Sequence, residues 1–294
     1  MKTTTTTNLL TLTLALGLNQ AATAQTFHSQ PINIPGASNI LVTGINDSEE
    51  IVLNFTDSAG TSHCLSIAGK TVIAIADPNE VGTGPGKGTS CWGINNSGQI
   101  VGSYSASVWG NGFVYAAGTY ADIIVPGATA GTIAYGLNNA GQIVGGYADN
   151  TGQFGFLYTA STGTYEKLAV PGAYATLALG VNDYGAITFE WVNTVFVYSG
   201  AVLYKGRYSN LNVPGASQSK ARGINAYGWV VLDAQDTSGV WHGFLFKGGK
   251  FTQFDVANAA NTYGFGINSY GVLVGGFNPS TTATTELGYY GAIY

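Results

Sequence analysis

The side chains in this chain that could carry chemistry are few and far apart. Its histidines are His28, His63 and His242, in three separate stretches. A metal centre takes several ligands that converge on one point, so this spacing predicts no metal site. His63 and His242 hold the same place in a repeating unit, which predicts a shared turn hydrogen bond instead. Asp57, Asp149 and Asp236 are each followed three residues on by a glycine, Gly60, Gly152 and Gly239. That is turn chemistry. Calcium needs several oxygens at one point, and these aspartates come from different units. General acid–base work needs positioned carboxyl groups. Glu80, Glu190 and Asp233 are the groups a hydrolase or lyase would have to bring together. No Gly-x-Ser-x-Gly elbow is present. Gly86-Lys87-Gly88-Thr89 looks briefly like a phosphate loop, but no Ser or Thr directly follows the lysine and no strand-to-helix pattern surrounds it. No cofactor is expected.

These residues hang on a repeat. Gly-aliphatic-Asn recurs at Gly44-Ile-Asn46, Gly93-Ile-Asn95, Gly136-Leu-Asn138, Gly180-Val-Asn182, Gly223-Ile-Asn225 and Gly266-Ile-Asn268, with steps of 49, 43, 44, 43 and 43 residues. A period in this range marks a stacked-repeat or propeller architecture. The asparagine reads as an Asx turn, its side chain fixing the backbone two residues on. Asn46, Asn54 and Asn95 also match glycosylation sequons, although Asn46 and Asn95 are simply this turn.

Aligned on the motif, each unit holds four strand-like runs, here termed a to d. Strand a precedes the motif, as in 176–181, and strand b follows it, as in 142–147. Strand c is short and aromatic, as in Gly155-Phe-Leu-Tyr158, and strand d ends in a turn such as Val170-Pro-Gly172. Strand b carries aliphatic residues at successive positions, such as Ile51-Val52, Ile143-Val144 and Leu273-Val274. Successive strand residues point to opposite faces, so both faces of the sheet must be covered. Four-stranded sheets packed face to face around an axis achieve this, which predicts a six-bladed β-propeller. The sixth unit ends at strand c, and Phe27–Ile34 before Pro35-Gly36 matches strand d, so the first segment is expected to close the last blade. The units run 38–78, 79–127, 128–172, 173–215, 216–257 and 258–294 plus 27–35, in one domain over 25–294.

Composition excludes several classes. Charged residues make up 9% of the chain, against roughly 25% in typical domains, and the net charge is -5. No basic stripe for nucleic acid is visible. Lys2, the apolar run Leu9–Leu18 and Ala22-Thr23-Ala24 read as a secretory signal peptide over 1–24. That run is too short to span a bilayer, which takes ~20 residues, and no later stretch is long and apolar enough. The expectation is an exported monomer, secreted or periplasmic. Export permits a disulfide between Cys64 and Cys91; free buried thiols are the alternative.

The motifs Gly-Ile-Asn-Asx-x-Gly-x-Ile-Val-Gly, His242-Gly-Phe-Leu-Phe246 and Val-Pro-Gly-Ala resemble the HAF-repeat family of bacterial extracellular repeat proteins, over nearly all of 27–294. The His-small-Phe triplet becomes Asn111-Gly-Phe113, Phe154-Gly-Phe156 and His63-Cys-Leu65 elsewhere and is lost in unit four. The resemblance implies localisation and repeat identity, and no catalytic residue.

Strand a, which should line the central channel, contains no Asp or Glu and only two charges, Lys220 and Arg222. The carboxylates of an enzyme are missing where they are expected. The reading is therefore a non-catalytic scaffold that binds glycan or an extracellular protein. The alternatives are a polysaccharide hydrolase or lyase and a structural envelope protein. The residue before the turn glycine is Ser48, Ser97 and Ala140 in units one to three, and Tyr184, Tyr227 and Tyr270 in units four to six. With Trp229, these tyrosines should form an arc near the axis that suits sugar rings, unless each simply covers its own turn.

Overall fold

The computed structural model describes residues 27–106, 110–280 and 285–293. The expected signal peptide and its cleavage site lie outside these residues. All regular structure among the described residues is strand, and no helix there is long and apolar enough to cross a membrane.

The strands form six antiparallel four-stranded blades in an a-b-c-d order. Blades 3 and 4 touch through one parallel bridge, Gln153 to Ala175, but each keeps its own four strands. Blade 6 is completed from the other end of the chain. Phe27–Ile32 pairs with Leu287–Ile293 in register from Phe27↔Ile293 to Ile32↔Gly288. The Phe27 ring packs 4.9 Å from Phe254 and 5.6 Å from Tyr289. This closure pairs the last strand c on its outer side, so that Leu287–Ile293 is not an exposed edge.

The core is a ring of layers between blades. Val101, Ile123 and Val125 of blade 2 pack on Ala134, Ile143, Tyr147 and Phe156 of blade 3. Val144, Leu168 and Val170 of blade 3 pack on Ala178, Ile187, Phe189 and Ala201 of blade 4. Each fully buried Val, Leu, Ile or Phe side chain among them stabilises by about 1.5–3 kcal/mol. The turn that ends strand d, Val-Pro-Gly in three of these blades and Val256-Ala-Asn258 in the fourth, is pinned to the following blade by one repeated bond. Val125, Val170, Val213 and Val256 donate their N–H to the hydroxyls of Thr132, Thr176, Ser219 and Thr262 at 3.0–3.1 Å. Cys64 on strand c of blade 1 and Cys91 on strand a of blade 2 form a disulfide, with Cα atoms 5.7 Å apart.

The motif glycine is needed at the axis. The six inner strands meet there backbone to backbone. A methyl group on Gly93, Gly136 or Gly180 would fall 2.8 Å from the carbonyl oxygen of Tyr135, Leu179 or Arg222 on the next blade. On Gly266 it would meet Gly44 Cα at 3.3 Å, which closes the circle.

Candidate functional site

The axis presents two ends. At the turn end, the motif asparagines do two jobs. Each Oδ1 accepts the N–H groups two and four residues on, as Asn138 does from Ala140 (3.1 Å) and Gln142 (2.9 Å). This is the Asx turn expected from sequence. Each Nδ2 also donates to the backbone carbonyl of the next motif asparagine. The links run Asn46 to Asn95, Asn95 to Asn138, Asn138 to Asn182, Asn182 to Asn225 and Asn225 to Asn268, at 3.0–3.2 Å. Asn268 donates to Asn46 O at 3.3 Å and completes the ring. All six asparagines are buried. Asn54 is buried too, bonded to both N and O of Cys91. None of the three sequon asparagines therefore offers its side chain to glycosylation in the folded domain.

Around this ring lies a mouth lined by Asp47, Asn96, Asn139, Asp183, Ala226 and Ser269, the residues that follow the asparagines. Tyr184, Tyr227 and Tyr270 come next in each turn. They are 71%, 70% and 75% exposed, so none is packed beneath its turn. The Tyr227 ring lies 5.6 Å from Trp229. Trp229 is half-buried, with Lys247 Nζ 3.7 Å from its ring centroid. These four residues sit on blades 4 to 6, as the spacing predicted.

Below the glycines, the inner strands carry a β-bulge in every blade, at Thr43, Trp92, Tyr135, Leu179, Arg222–Gly223 and Phe265. A bulge re-aims a side chain. Trp92, Tyr135, Leu179, Arg222 and Phe265 keep partial exposure on the innermost strands of the molecule, while Cys91, Ala134, Ala178, Ala221 and Gly264 beside them are buried. They therefore line the axial channel.

Strand a holds no carboxylate, but strand b places two buried ones against the inner strands, in contact with the channel-lining Arg222. Glu190 and Asp233 occupy one repeat position on blades 4 and 5, shared by Asn54 on blade 1, whose side chain reaches the next blade's inner strand. Asp233 accepts from Arg222 Nε at 2.8 Å and from Gly264 N–H at 2.7 Å. Glu190 lies 3.6 Å from both Lys220 Nζ and Arg222 Nη1. Lys220 also stands 3.9 Å over Tyr198, and Arg222 5.0 Å over Phe265. Burial pushes the Asp233 carboxyl up, against the pull of Arg222. Burial likewise lowers Lys220, although Glu190 opposes it. For Arg222, burial works against the charge, but Asp233 and Glu190 outweigh it and hold the guanidinium above its ordinary value. Tyr263 is pushed up to about 12 by burial, then by Glu286. Reading strand a alone missed this cluster. Its sequence signal was the pair of acids at one position of strand b.

The remaining candidates serve turns. Glu80 accepts from the Thr89 hydroxyl, in the loop between blades 1 and 2 and away from Glu190 and Asp233. His63 meets Asp57 Oδ2 at 2.9 Å, and His242 meets Asp255 at 3.0 Å and Asp236 at 3.5 Å. Asp57 is lowered first by its bond to His63, and Asp236 falls to about 2 through Ser238. Among the described residues, no cluster of three His, Cys, Asp or Glu could hold a metal.

Blade order, closure and axis define a six-bladed β-propeller. No family model matches the chain, and no curated protein matches it. Solved structures do. The chain is similar to the SapL1 lectin in complex with alpha methyl fucoside, at 10% identity over 88% of this chain and 95% of that one, with a TM-score of 0.55. It is similar to a mutant of AofleA from Arthrobotrys oligospora at 10% identity over 92% and 88%, TM-score 0.54. TolB from Acinetobacter baumannii gives 11% identity over 88% and 65%, TM-score 0.52. At these identities the likeness is one of fold.

Proposed function

We propose that this chain is an exported, non-catalytic propeller that binds glycan on its turn face, through Tyr184, Tyr227, Tyr270 and Trp229. One observation carries the reading. Three tyrosines stand 70–75% exposed on consecutive blades, on turns whose backbones are fixed by asparagine side chains. Exposed aromatic faces on a rigid frame give contact area at low entropy cost, and an aromatic face suits the C–H surface of a sugar ring. The lectin SapL1, which shares the fold, was solved with alpha methyl fucoside, so neutral sugars are the first ligands to test. Export rests on the leader-like first 24 residues, and the resemblance to HAF repeats fits it. The hydrolase or lyase alternative is disfavoured by the channel. Glu190 and Asp233 are each held by Arg222, with Lys220 beside Glu190, which leaves no free pair for proton transfer.

The test is a glycan screen of the purified protein, followed by titration of the best ligand into Tyr184→Ala, Tyr227→Ala, Tyr270→Ala and the triple variant. Each single change should weaken binding, and the triple change should abolish it, with the thermal midpoint nearly unchanged. Full affinity in the triple variant, or turnover of the bound polysaccharide, would sink the reading.

A further inference from the structure

The residue after each motif asparagine lines the mouth, and its backbone N–H can be capped by the side chain at the same position of the following blade. Four of the six are capped. Asp47 N–H donates to Asn96 Oδ1 (2.9 Å), Asn96 to Asn139 Oδ1 (2.9 Å), Asn139 to Asp183 Oδ1 (2.8 Å), and Ser269 to Asp47 Oδ1 (2.7 Å). Each cap requires an acceptor on the next side chain. Blade 5 has Ala226 there, so Asp183 N–H meets none. Ala226 N–H is uncapped as well; the Ser269 hydroxyl on the next blade donates to Asp47 Oδ2 at 3.0 Å and takes no bond from it. Among the described residues, neither N–H has a hydrogen-bond partner. This outer ring is therefore open at two adjacent positions, on blades 4 and 5.

The opening coincides with the aromatic arc. Where the next residue is small, at Ser48, Ser97 and Ala140, the preceding N–H is capped. Before Tyr184 and Tyr227 the N–H is free, whereas before Tyr270 the Ser269 N–H is capped by Asp47, so the opening underlies two of the three tyrosines. We infer that Asp183 N–H and Ala226 N–H are ligand donors, and that they take oxygen atoms of a neutral saccharide lying against the tyrosines. The chemistry around the opening selects the charge. Asp183 and Asp47 carboxylates line the same mouth, where they can accept hydroxyl protons but repel a carboxylate or sulfate. A sugar hydroxyl both accepts and donates, so it can satisfy an N–H and a carboxylate together. This inference rests on the glycan-binding reading of the same face and names the atoms and the ligand charge within it.

Ala226→Asn tests it, because asparagine is the residue that caps the ring at Asn96 and Asn139. The probes are the methyl α-glycosides of fucose, galactose, mannose and glucose, with methyl glucuronide as the anionic counterpart, titrated by calorimetry and by amide NMR. In the wild type, the Asp183 and Ala226 amide signals should move with a neutral glycoside, and the glucuronide should bind more weakly. Ala226→Asn should lose affinity by about tenfold or more while its thermal midpoint holds or rises. That split separates a blocked donor from a damaged fold. If the wild type binds and the triple tyrosine variant does not, full affinity in Ala226→Asn overturns this inference and leaves the glycan reading standing. Unmoved amides, or preference for the glucuronide, also overturn it. If the wild type binds none of the neutral glycosides, this inference falls; the glycan reading falls with it only if the glycan screen also finds no ligand.

Discussion

Replacing Asp77 by valine should make the protein more stable. Asp77 stands where Ile34, Val125, Val170, Val213 and Val256 stand in the other units. It is only 1% exposed, and its Oδ2 has no hydrogen-bond partner. Its Oδ1 accepts from Asn79 N–H at 2.9 Å, and its own N–H goes to Thr89, as the valines' go to their hydroxyls. Relieving a buried unsatisfied carboxylate oxygen is worth about 1–3 kcal/mol, and losing the Asn79 bond costs about 1 kcal/mol. Buried valine adds part of the ~1.5–3 kcal/mol of an aliphatic side chain. The net gain centres on ~2 kcal/mol, or roughly 4–8 °C in thermal midpoint for a domain of this size. The gain should depend on pH. Burial holds the Asp77 carboxyl above its ordinary value, and Asp122 and Glu80 push the same way. The folded state thus keeps its proton to higher pH than the unfolded chain. The penalty is absent well below the unfolded value of ~3.9, grows as pH rises through the folded value, and is constant above it. Midpoints of wild type and Asp77→Val should differ most near pH 8 and least near pH 3.5, by circular dichroism. A variant that melts lower at pH 8, or a difference independent of pH, would refute this account of the site.

Two further perturbations probe closure. Deleting residues 25–37 removes the outer strand of blade 6, with its six paired positions and the Phe27 contacts, and should unfold or aggregate the domain; an unchanged midpoint and monomeric elution would contradict this. The Cys64–Cys91 bond spans 27 residues, and a closed loop of that size contributes roughly 3–4 kcal/mol in the chain-entropy model. Double alanine substitution should lower the midpoint accordingly, and two freely alkylated thiols under non-reducing conditions would show that no bond forms.

Much of this architecture follows from the chain alone, because it is local and periodic. The step near 44 residues, the aliphatic pairs of strand b and the strand-d match at Ile32–Pro35 required closed, doubly covered blades. The Asx turns were legible because Asn138 and the Ala140 and Gln142 N–H groups it binds lie within four residues. The tyrosine arc was legible because the repeat places Tyr184, Tyr227 and Tyr270 at one turn position. Tertiary structure decided the rest. The asparagine ring joins residues 43 to 49 apart, and its last link, Asn268 to Asn46, spans 222; only the angle between blades brings those carbonyls within reach. The pairing of Glu190 with Arg222 crosses from strand b of one blade to strand a of the next, which a reading of one strand at a time cannot see. Ala226 looks unremarkable in sequence. Its meaning appears only when the neighbouring blade's N–H is found without the cap that Asn96 and Asn139 supply elsewhere in the ring.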